Sequence, residues 1–264
     1  MINVNGIILI VCCEKYKKIR SKFKLNNNNY IGWEVVYLFG NENLNEEYKY
    51  ENNILTIKCE DSYLFLMKKL ILGMKYLNSI FDIKEGILRC GDDLIFKENL
   101  LLDFLNSMKE DYIGKNFSKK SINPKELLLS TSIHNNFMCN YYNNNKNELI
   151  EINKQIKKYN NNLDIYKINK TVNISEYIAL GHIYYLSNKS IKILINKFSE
   201  INDDILFFEN NCYPYILEDV GIGYILFKNN IKLTLKQDIW YNPHYQHFDT
   251  PGEYMCFHTN EGNK

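Results

Sequence analysis

The sequence has 264 residues, enough for one large domain, and its 32 basic and 31 acidic residues nearly cancel. This balance argues against a nucleic-acid-binding protein, which would carry a basic stripe. The seven cysteines form no Cys-x-x-Cys pair, so we expect reduced thiols. No cleavable signal or membrane-spanning apolar run is present, so we expect a soluble, cytoplasmic protein.

The first half of the chain alternates predicted strands with predicted helices. A continuous apolar run at 7–11 is typical of a buried parallel strand. The clearest helix covers 62–77, where Ser62 is a plausible N-cap and apolar residues recur at helical spacing. This βαβ succession predicts an α/β fold with a central, mostly parallel sheet flanked by helices. Further strands are predicted at 33–39, 54–58, 86–90 and 111–114, and further helices at 15–23 and 98–108.

An Asn-rich stretch around residues 140–170 interrupts this pattern. Polar tracts that cannot pack are usually loops, so we interpret the stretch as a surface insertion. The alternation then resumes, and we predict a single domain over residues 1–264. The later strands are predicted at 184–187 and 231–235, and the later helices at 189–198 and 217–227.

Two adjacent acids, Asp92 and Asp93, follow the strand predicted at 86–90. Ligands of open α/β sheets lie outside the carboxyl ends of the strands. Carboxylates at such an end can bind Mg²⁺ or Mn²⁺, with substrate phosphates completing the shell. The alternative is a solvated turn, where Asp is common. The string Gly-Asp-Asp also occurs in viral RNA polymerases, but this chain is too short and too neutral for one.

Three later residues are candidates for chemistry. Glu218 and Asp219 open the helix predicted at 217–227, where acids also interact favourably with the helix dipole. One of these carboxylates can act as a general base that takes the proton of an acceptor hydroxyl. His258 lies in a brief apolar run that would hold its imidazole rigidly enough to complete a metal shell. A purely structural histidine is the alternative.

The order of these residues resembles glycosyltransferase family 31, the β-1,3-galactosyltransferase and Fringe-like enzymes. Residues 61–69 resemble the family stretch D-x-Y-x-x-L-x-x-K, and residues 89–93 resemble K-x-D-D-D. Residues 179–187 resemble the small-residue strand A-S-G-G-G-Y-x-L-S. The most specific match is residues 218–223, which resemble E-D-V-x-x-G, while His258 resembles the family's late metal-binding histidine.

The resemblance implies a GT-A fold, which is a Rossmann-like nucleotide-sugar transferase fold, and a UDP-sugar donor with Mn²⁺ or Mg²⁺. Asp93 and His258 would be the metal ligands, and Asp219 the base of an inverting transfer. The sugar would be galactose, GlcNAc or glucose, and the acceptor a hydroxyl of a glycan or glycoprotein. The residues implied at the donor site are Asp61, Arg89, Asp92 and Glu218.

The chain departs from the family pattern at several points. Gly91 replaces the first Asp of the triplet, and His182 and Ile183 replace glycines, which predicts a narrower pocket. The family's membrane anchor and paired lumenal cysteines are missing, which favours a soluble enzyme such as a large virus or a low-GC microbe would encode.

Two other functions stay open at this stage. The first is a non-catalytic nucleotide-sugar- or glycan-binding protein with a degenerate transferase fold, which the changes at Gly91 and His182 motivate. The second is a metal-dependent phosphoesterase or nucleotidyltransferase built on Asp92 and Asp93. The sequence disfavours the second, because no further carboxylate cluster suggests a two-metal site.

Overall fold

A computed structural model describes residues 1–13, 25, 30, 32–61, 65–116, 178–200, 218–241 and 252–258. The helix predicted at 15–23, the N-cap at Ser62 and the Asn-rich insertion around 140–170 lie outside these residues. The single-domain organisation therefore stays a prediction.

The described residues form strands and helices in alternation. The strands are β1 (Ile2–Val11), β2 (Trp33–Gly40), β3 (Tyr48–Glu51), β4 (Ile54–Ile57), β5 (Phe81–Gly91), β6 (Leu94–Phe96), β7 (Tyr112–Gly114), β8 (Ile183–Ser187), β9 (Thr234–Leu235), β10 (Trp240–Tyr241) and β11 (Cys256–His258). The helices are α1 (Leu66–Ile80), α2 (Glu98–Asn106), α3 (Asn188–Glu200) and α4 (Glu218–Lys228).

The main sheet has eight strands in the order β3-β4-β2-β1-β5-β8-β7-β9. Its centre, from β4 through β2 and β1 to β5, is parallel, and β9 also runs parallel to β7. The strands β3 and β8 pair antiparallel with their neighbours. A smaller sheet joins β10, β11 and β6. The predicted α/β fold with a mostly parallel central sheet is thus confirmed.

Helices cover both faces of the main sheet because its central strands are apolar on both sides. In β1, Ile7 and Leu9 pack on one face, whereas Ile8 and Ile10 pack on the other. The first face is covered by α1, α3 and α4, and the second by α2 and the smaller sheet. Each fully buried aliphatic side chain contributes about 1.5–3 kcal/mol. None of the described helices is both long and apolar enough to cross a membrane.

Several boundaries differ from the predicted ones. β5 begins at Phe81 instead of residue 86, because Phe81 and Ile83 are buried while the intervening Asp82 is exposed. β3 was not predicted from the sequence, since it lies at the sheet edge with alternate side chains exposed. It joins β4 through Asn52 and Asn53, which both have positive φ, as a tight hairpin turn requires.

The strand order contains a topological switch point, which predicts a ligand site at one end of the sheet. From β1 the chain moves outward to β2 and β4, and then returns through α1 to β5 on the other side of β1. The direction of winding therefore reverses between β1 and β5. In open α/β sheets, ligands bind at the carboxyl ends of the two strands that flank such a reversal. We call the region outside the carboxyl ends of β1 and β5 the crevice.

Candidate functional site

Asp93 and His258 meet at the β5 end of the crevice. Asp93 lies in the turn between β5 and β6, and β6 pairs antiparallel with β11 so that Leu94 is opposite His258. This register brings the His258 Nε2 atom to 2.8 Å from the Asp93 Oδ2 atom. Asp92 lies half-buried in the same turn. The smaller sheet thus delivers a residue from far along the chain to the acidic turn.

The Asp93–His258 pair stays accessible at the surface. The side chain of Asp93 is 37% exposed and that of His258 is 20% exposed. Burial alone would raise the pKa of Asp93, but the hydrogen bond from His258 and the charge of that imidazole outweigh it. The pKa of Asp93 consequently lies below its usual value. The carboxylate is therefore ionised at neutral pH.

The pair brings together two donor atoms of the kinds that divalent cations bind. Neighbouring ligand atoms in an octahedral shell with bonds of about 2.1 Å lie about 3 Å apart. The Asp93 Oδ2 and His258 Nε2 atoms lie 2.8 Å apart and are joined by a hydrogen bond from the imidazole, so a cation held by both atoms would take the place of that shared proton. Within the described ranges no group of three His, Cys, Asp or Glu side chains converges on one point. Two protein ligands would leave the other positions to water and phosphate oxygens, as is usual for Mg²⁺ and Mn²⁺.

Gly91 leaves room for the Asp93 carboxylate in its observed orientation. A Cβ atom at Gly91 would lie 2.6 Å from the Asp93 Oδ1 atom, closer than Cβ atoms come to other atoms in real structures. An acid at this position, as in the family triplet, would require Asp93 to move. A side chain at position 91 would therefore require the end of the Asp93 side chain to turn away from its observed orientation.

A turn formed by Gly181 and His182 lies beside the Asp93–His258 pair. The backbone N–H of Gly91 donates to the carbonyl of His182 over 2.9 Å. The imidazole of His182 stacks on Trp240 at 4.1 Å between ring centroids and meets His258 edge-on at 5.1 Å. Burial lowers the pKa of His182 to about 4, so this ring is neutral at pH 7. His182 therefore fills the space between Trp240 and His258.

Glu218 and Asp219 face the 181–182 turn from the first turn of α4. A Cβ atom at Gly181 would lie 3.3 Å from the Glu218 Oε2 atom and 3.4 Å from the Asp219 Oδ2 atom. Glu218 is only 5% exposed, while Asp219 is half-buried. Burial raises the pKa of Glu218 above its usual value, although Arg89 opposes this shift. Glu218 is thus enclosed by the protein, whereas Asp219 is partly accessible.

Arg89 lies beneath the site and pairs with Glu218. Its Nε atom is 3.2 Å from the Glu218 Oε1 atom, and Arg89 is 4% exposed. The hydroxyl of Tyr184 donates to the same Glu218 oxygen. Arg89 and Glu218 therefore lie under the site and contact each other. The contact with a donor that the sequence predicts for both residues stays a prediction.

Asp61 lies on the β1 side of the crevice, where a buried lysine holds it. The Lys69 Nζ atom donates to Asp61 Oδ1 over 2.6 Å and to the carbonyl of Cys12 over 2.7 Å. Cys12 directly follows β1, and Lys69 extends from α1. The ammonium group therefore fixes a carboxylate at the carboxyl end of β1.

The structure brings together most of the residues singled out in the sequence. Asp92, Asp93 and His258 form one group, and Asp219 lies next to the adjoining turn. Tyr184 and Trp240 were missed, because Tyr184 reads as a core residue of a strand and Trp240 belongs to a segment without clear periodicity. The roles of all these residues as ligands, donor contacts or base stay predictions.

Comparison with known proteins gives no family assignment. No protein-family model matches the chain, and no curated protein matches it. Membership in glycosyltransferase family 31 therefore stays a prediction. Among solved structures, the chain is similar to apo mouse xyloside xylosyltransferase 1, with a TM-score of 0.42 and 10% identity, over 100% of this chain and 99% of that chain. Because the TM-score and the identity are this low, the structural similarity does not indicate a function, and only the side chains of the site bear on it.

Proposed function

We propose that this protein is a metal-dependent glycosyltransferase with a GT-A fold. It would transfer the sugar of a UDP-sugar to a hydroxyl of a glycan or glycoprotein with inversion at the anomeric carbon. The observation that carries the proposal is the contact between Asp93 and His258 at the crevice, beside the turn that Asp219 faces.

Asp93 and His258 would hold the cation in this proposal. A carboxylate oxygen and an imidazole nitrogen form a donor set that suits Mn²⁺, and Mg²⁺ is the alternative. When bound, the cation would offset the negative charge that develops on the departing diphosphate. Asp93 is ionised, and the position of His258 on the short strand β11 keeps the two donor atoms 2.8 Å apart.

The nucleoside would occupy the β1 side of the crevice. Asp61 is anchored there by Lys69, and its carboxylate can accept hydrogen bonds from ribose hydroxyls or from a base N–H. Because the diphosphate would lie at Asp93, the nucleotide would extend along the ends of β5 and β1. Asp92 would contribute at the donor side of the same turn.

Asp219 would act as the general base. An inverting displacement needs a carboxylate that removes the acceptor proton on the side opposite to the leaving group. Asp219 lies across the 181–182 turn from the Asp93–His258 pair, and it is half-buried. Glu218 is less suited to this role, since its carboxylate is enclosed and already paired with Arg89 and Tyr184.

Donor binding tests the proposal most directly. We would measure the melting temperature with UDP-glucose, UDP-galactose and UDP-GlcNAc, with and without MnCl₂, and then UDP release in the presence of acceptor glycans. We expect at least one donor to raise the melting temperature only when Mn²⁺ is present, because ligand binding stabilises the folded state by mass action. No Mn²⁺-dependent shift with any donor or with UDP itself would refute the proposal.

A non-catalytic binding protein is the second candidate. Gly91 stands where the family carries an acid, and the neutral imidazole of His182 occupies space beside the cation position. Both features would permit nucleotide-sugar binding without transfer. Mn²⁺-dependent binding of a donor, combined with no UDP release across the donor and acceptor panel, would favour this function over the transferase.

A further inference from the structure

Arg89, Glu218 and Tyr184 form a buried cluster under the candidate site. Besides its ion pair with Glu218, the Arg89 guanidinium donates to the carbonyls of Gly181 and His182, the second over 3.3 Å. Tyr184 donates to Glu218 from the adjacent strand β8, and its ring lies 5.5 Å from the Arg89 guanidinium carbon. The cluster therefore joins β5, β8, the start of α4 and the 181–182 turn.

A buried ion pair is a weak source of stability in itself. The cost of removing both charges from water often equals or exceeds their mutual attraction, and apolar residues of similar volume can replace such pairs without loss. Arg89 and Glu218 are nevertheless both nearly inaccessible. Arg89 also donates to two backbone carbonyls, and Glu218 accepts from Tyr184, so the cluster fixes the geometry of the chain around it.

The contacts tie the two halves of the site to one side chain. The guanidinium of Arg89 holds the Gly181 and His182 carbonyls, and His182 is in turn bonded to Gly91 at the end of β5. The same guanidinium holds Glu218, which immediately precedes Asp219. The turn beside the Asp93–His258 pair and the helix that carries Asp219 therefore share one anchor.

We propose that Arg89, Glu218 and Tyr184 are positioning residues that set Asp219 relative to the Asp93–His258 pair. This inference rests on the proposed function, because it assigns the placement of the general base to the cluster. Removal of one of its hydrogen bonds would let the first turn of α4 shift while the crevice keeps its shape. The expected defect thus falls on the chemical step and spares donor binding.

The variant Tyr184→Phe tests this inference with little disturbance of packing, since only the hydroxyl is lost. The matched control is Tyr185→Phe, the neighbouring buried tyrosine of β8, which lies on the opposite face of the sheet against Phe104. We expect kcat of Tyr184→Phe to fall by about 10- to 100-fold, because a misplacement of about 1 Å can cost about 100-fold in rate. KM for the donor and the Mn²⁺-dependent affinity for UDP should stay within about 2-fold of wild type, and Tyr185→Phe should keep its kcat.

A second variant, Arg89→Lys, keeps a positive charge beside Glu218 but replaces the planar fork by one compact ammonium group. Because lysine cannot bond Glu218 and two carbonyls in the same geometry, we expect a lower kcat. Retained UDP affinity in this variant would separate the positioning role of Arg89 from the donor contact predicted for it. Crystal structures of wild type and Tyr184→Phe give a readout that is independent of turnover. We expect the Asp219 carboxylate to move relative to Gly181 while Asp93 and His258 stay in place.

The outcomes separate the inference from the proposed function. Wild-type kcat in Tyr184→Phe, or an Asp219 position identical to that of wild type, would overturn the inference even if the enzyme is an active transferase. Equal losses of kcat and UDP affinity would also overturn it, since they indicate general damage to the site. A wild-type protein that neither binds UDP with Mn²⁺ nor releases it from donors would sink the proposed function, and the Asp219 position would then still decide the structural inference.

Discussion

The substitution Asp93→Asn separates a cation site from an ordinary surface pair. It keeps the shape of the side chain and one oxygen, but it removes the negative charge that a divalent cation requires. In the free protein, Asp93 and His258 form a partly exposed pair with 37% and 20% of their side chains accessible. Partly exposed pairs of this type contribute about 0.2–1 kcal/mol. For a protein of this size, 1 kcal/mol corresponds to about 2–4 °C in melting temperature, so the free variant should melt at most about 4 °C lower.

The effect on ligand binding should be much larger. At a UDP–Mn²⁺ concentration of about 100 times Kd, binding stabilises the wild type by about 2.7 kcal/mol, or about 5–11 °C. Changes in residues that merely support a metal ligand cost about 10- to 100-fold in affinity, so the loss of a ligand itself should cost at least about 100-fold. At the same concentration the stabilisation of Asp93→Asn would then fall to about 0.4 kcal/mol, or about 1–2 °C.

Asp111→Asn is the matched control for this experiment. Asp111 is 36% exposed and pairs with Lys189 at 2.7 Å, at the opposite end of the sheet. It should lower the melting temperature of the free protein slightly and leave the UDP–Mn²⁺ shift intact. A full UDP–Mn²⁺ shift in Asp93→Asn would refute the assignment of Asp93 as a ligand.

The effect of Asp111→Asn on the melting temperature should depend on pH. The hydrogen bond from Lys189 holds the pKa of Asp111 below its usual value of 3.8. A carboxylate with a lowered folded-state pKa stabilises the protein above its unfolded-state pKa, and this stabilisation is lost as pH falls through the folded-state pKa. The difference in melting temperature between wild type and Asp111→Asn should therefore be constant above about pH 5 and shrink below about pH 4. A difference that is the same at pH 3 and pH 7 would contradict the pairing.

Three further outcomes follow from the site. Asp219→Asn should lower kcat by at least about 100-fold and keep Mn²⁺-dependent UDP binding, because general bases contribute about 10²- to 10⁴-fold; undiminished transfer would rule out Asp219 as the base. Gly91→Ala should weaken Mn²⁺ binding, measured by titration calorimetry with UDP present, by up to about 10-fold, since its Cβ would force the Asp93 carboxylate to turn; an unchanged affinity would show that the carboxylate adjusts without cost. Lys69→Met should lower the free energy of unfolding in urea by about 3–5 kcal/mol, because it leaves the Asp61 carboxylate without its buried counter-charge, and a loss below about 1 kcal/mol would contradict the anchoring role.

Part of the fold was accessible from the sequence because its signals are local. β1 reads as a buried strand since every residue from Ile7 to Val11 is apolar, and α1 reads as a helix since its apolar residues recur at helical spacing. The strand order and the antiparallel direction of β8 depend on pairings between segments distant in sequence, which local periodicity does not encode. β10 and β11 contain two and three residues, too few to show any period.

The candidate site was predictable to a similar extent. Asp92 and Asp93 stand out because acids directly follow an apolar strand, and the carboxyl-end rule then places them at a crevice. The approach of His258 to Asp93 followed only from the family resemblance, since it depends on the register between β6 and β11. The burial of Arg89 against Glu218 could not be predicted, because the partner of a charged strand residue is set by the packing of a helix more than a hundred residues later.

The position of Trp240 provides the protein with an intrinsic optical probe. The sequence contains two tryptophans, and Trp33 lies at the other end of the sheet beside Gly6. Trp240 stacks on His182, whose ring meets His258. A paramagnetic ion such as Mn²⁺ quenches the emission of a nearby indole, so Trp240 fluorescence would report loading of the site without any label. A Trp33→Phe background would make that signal come from one indole alone.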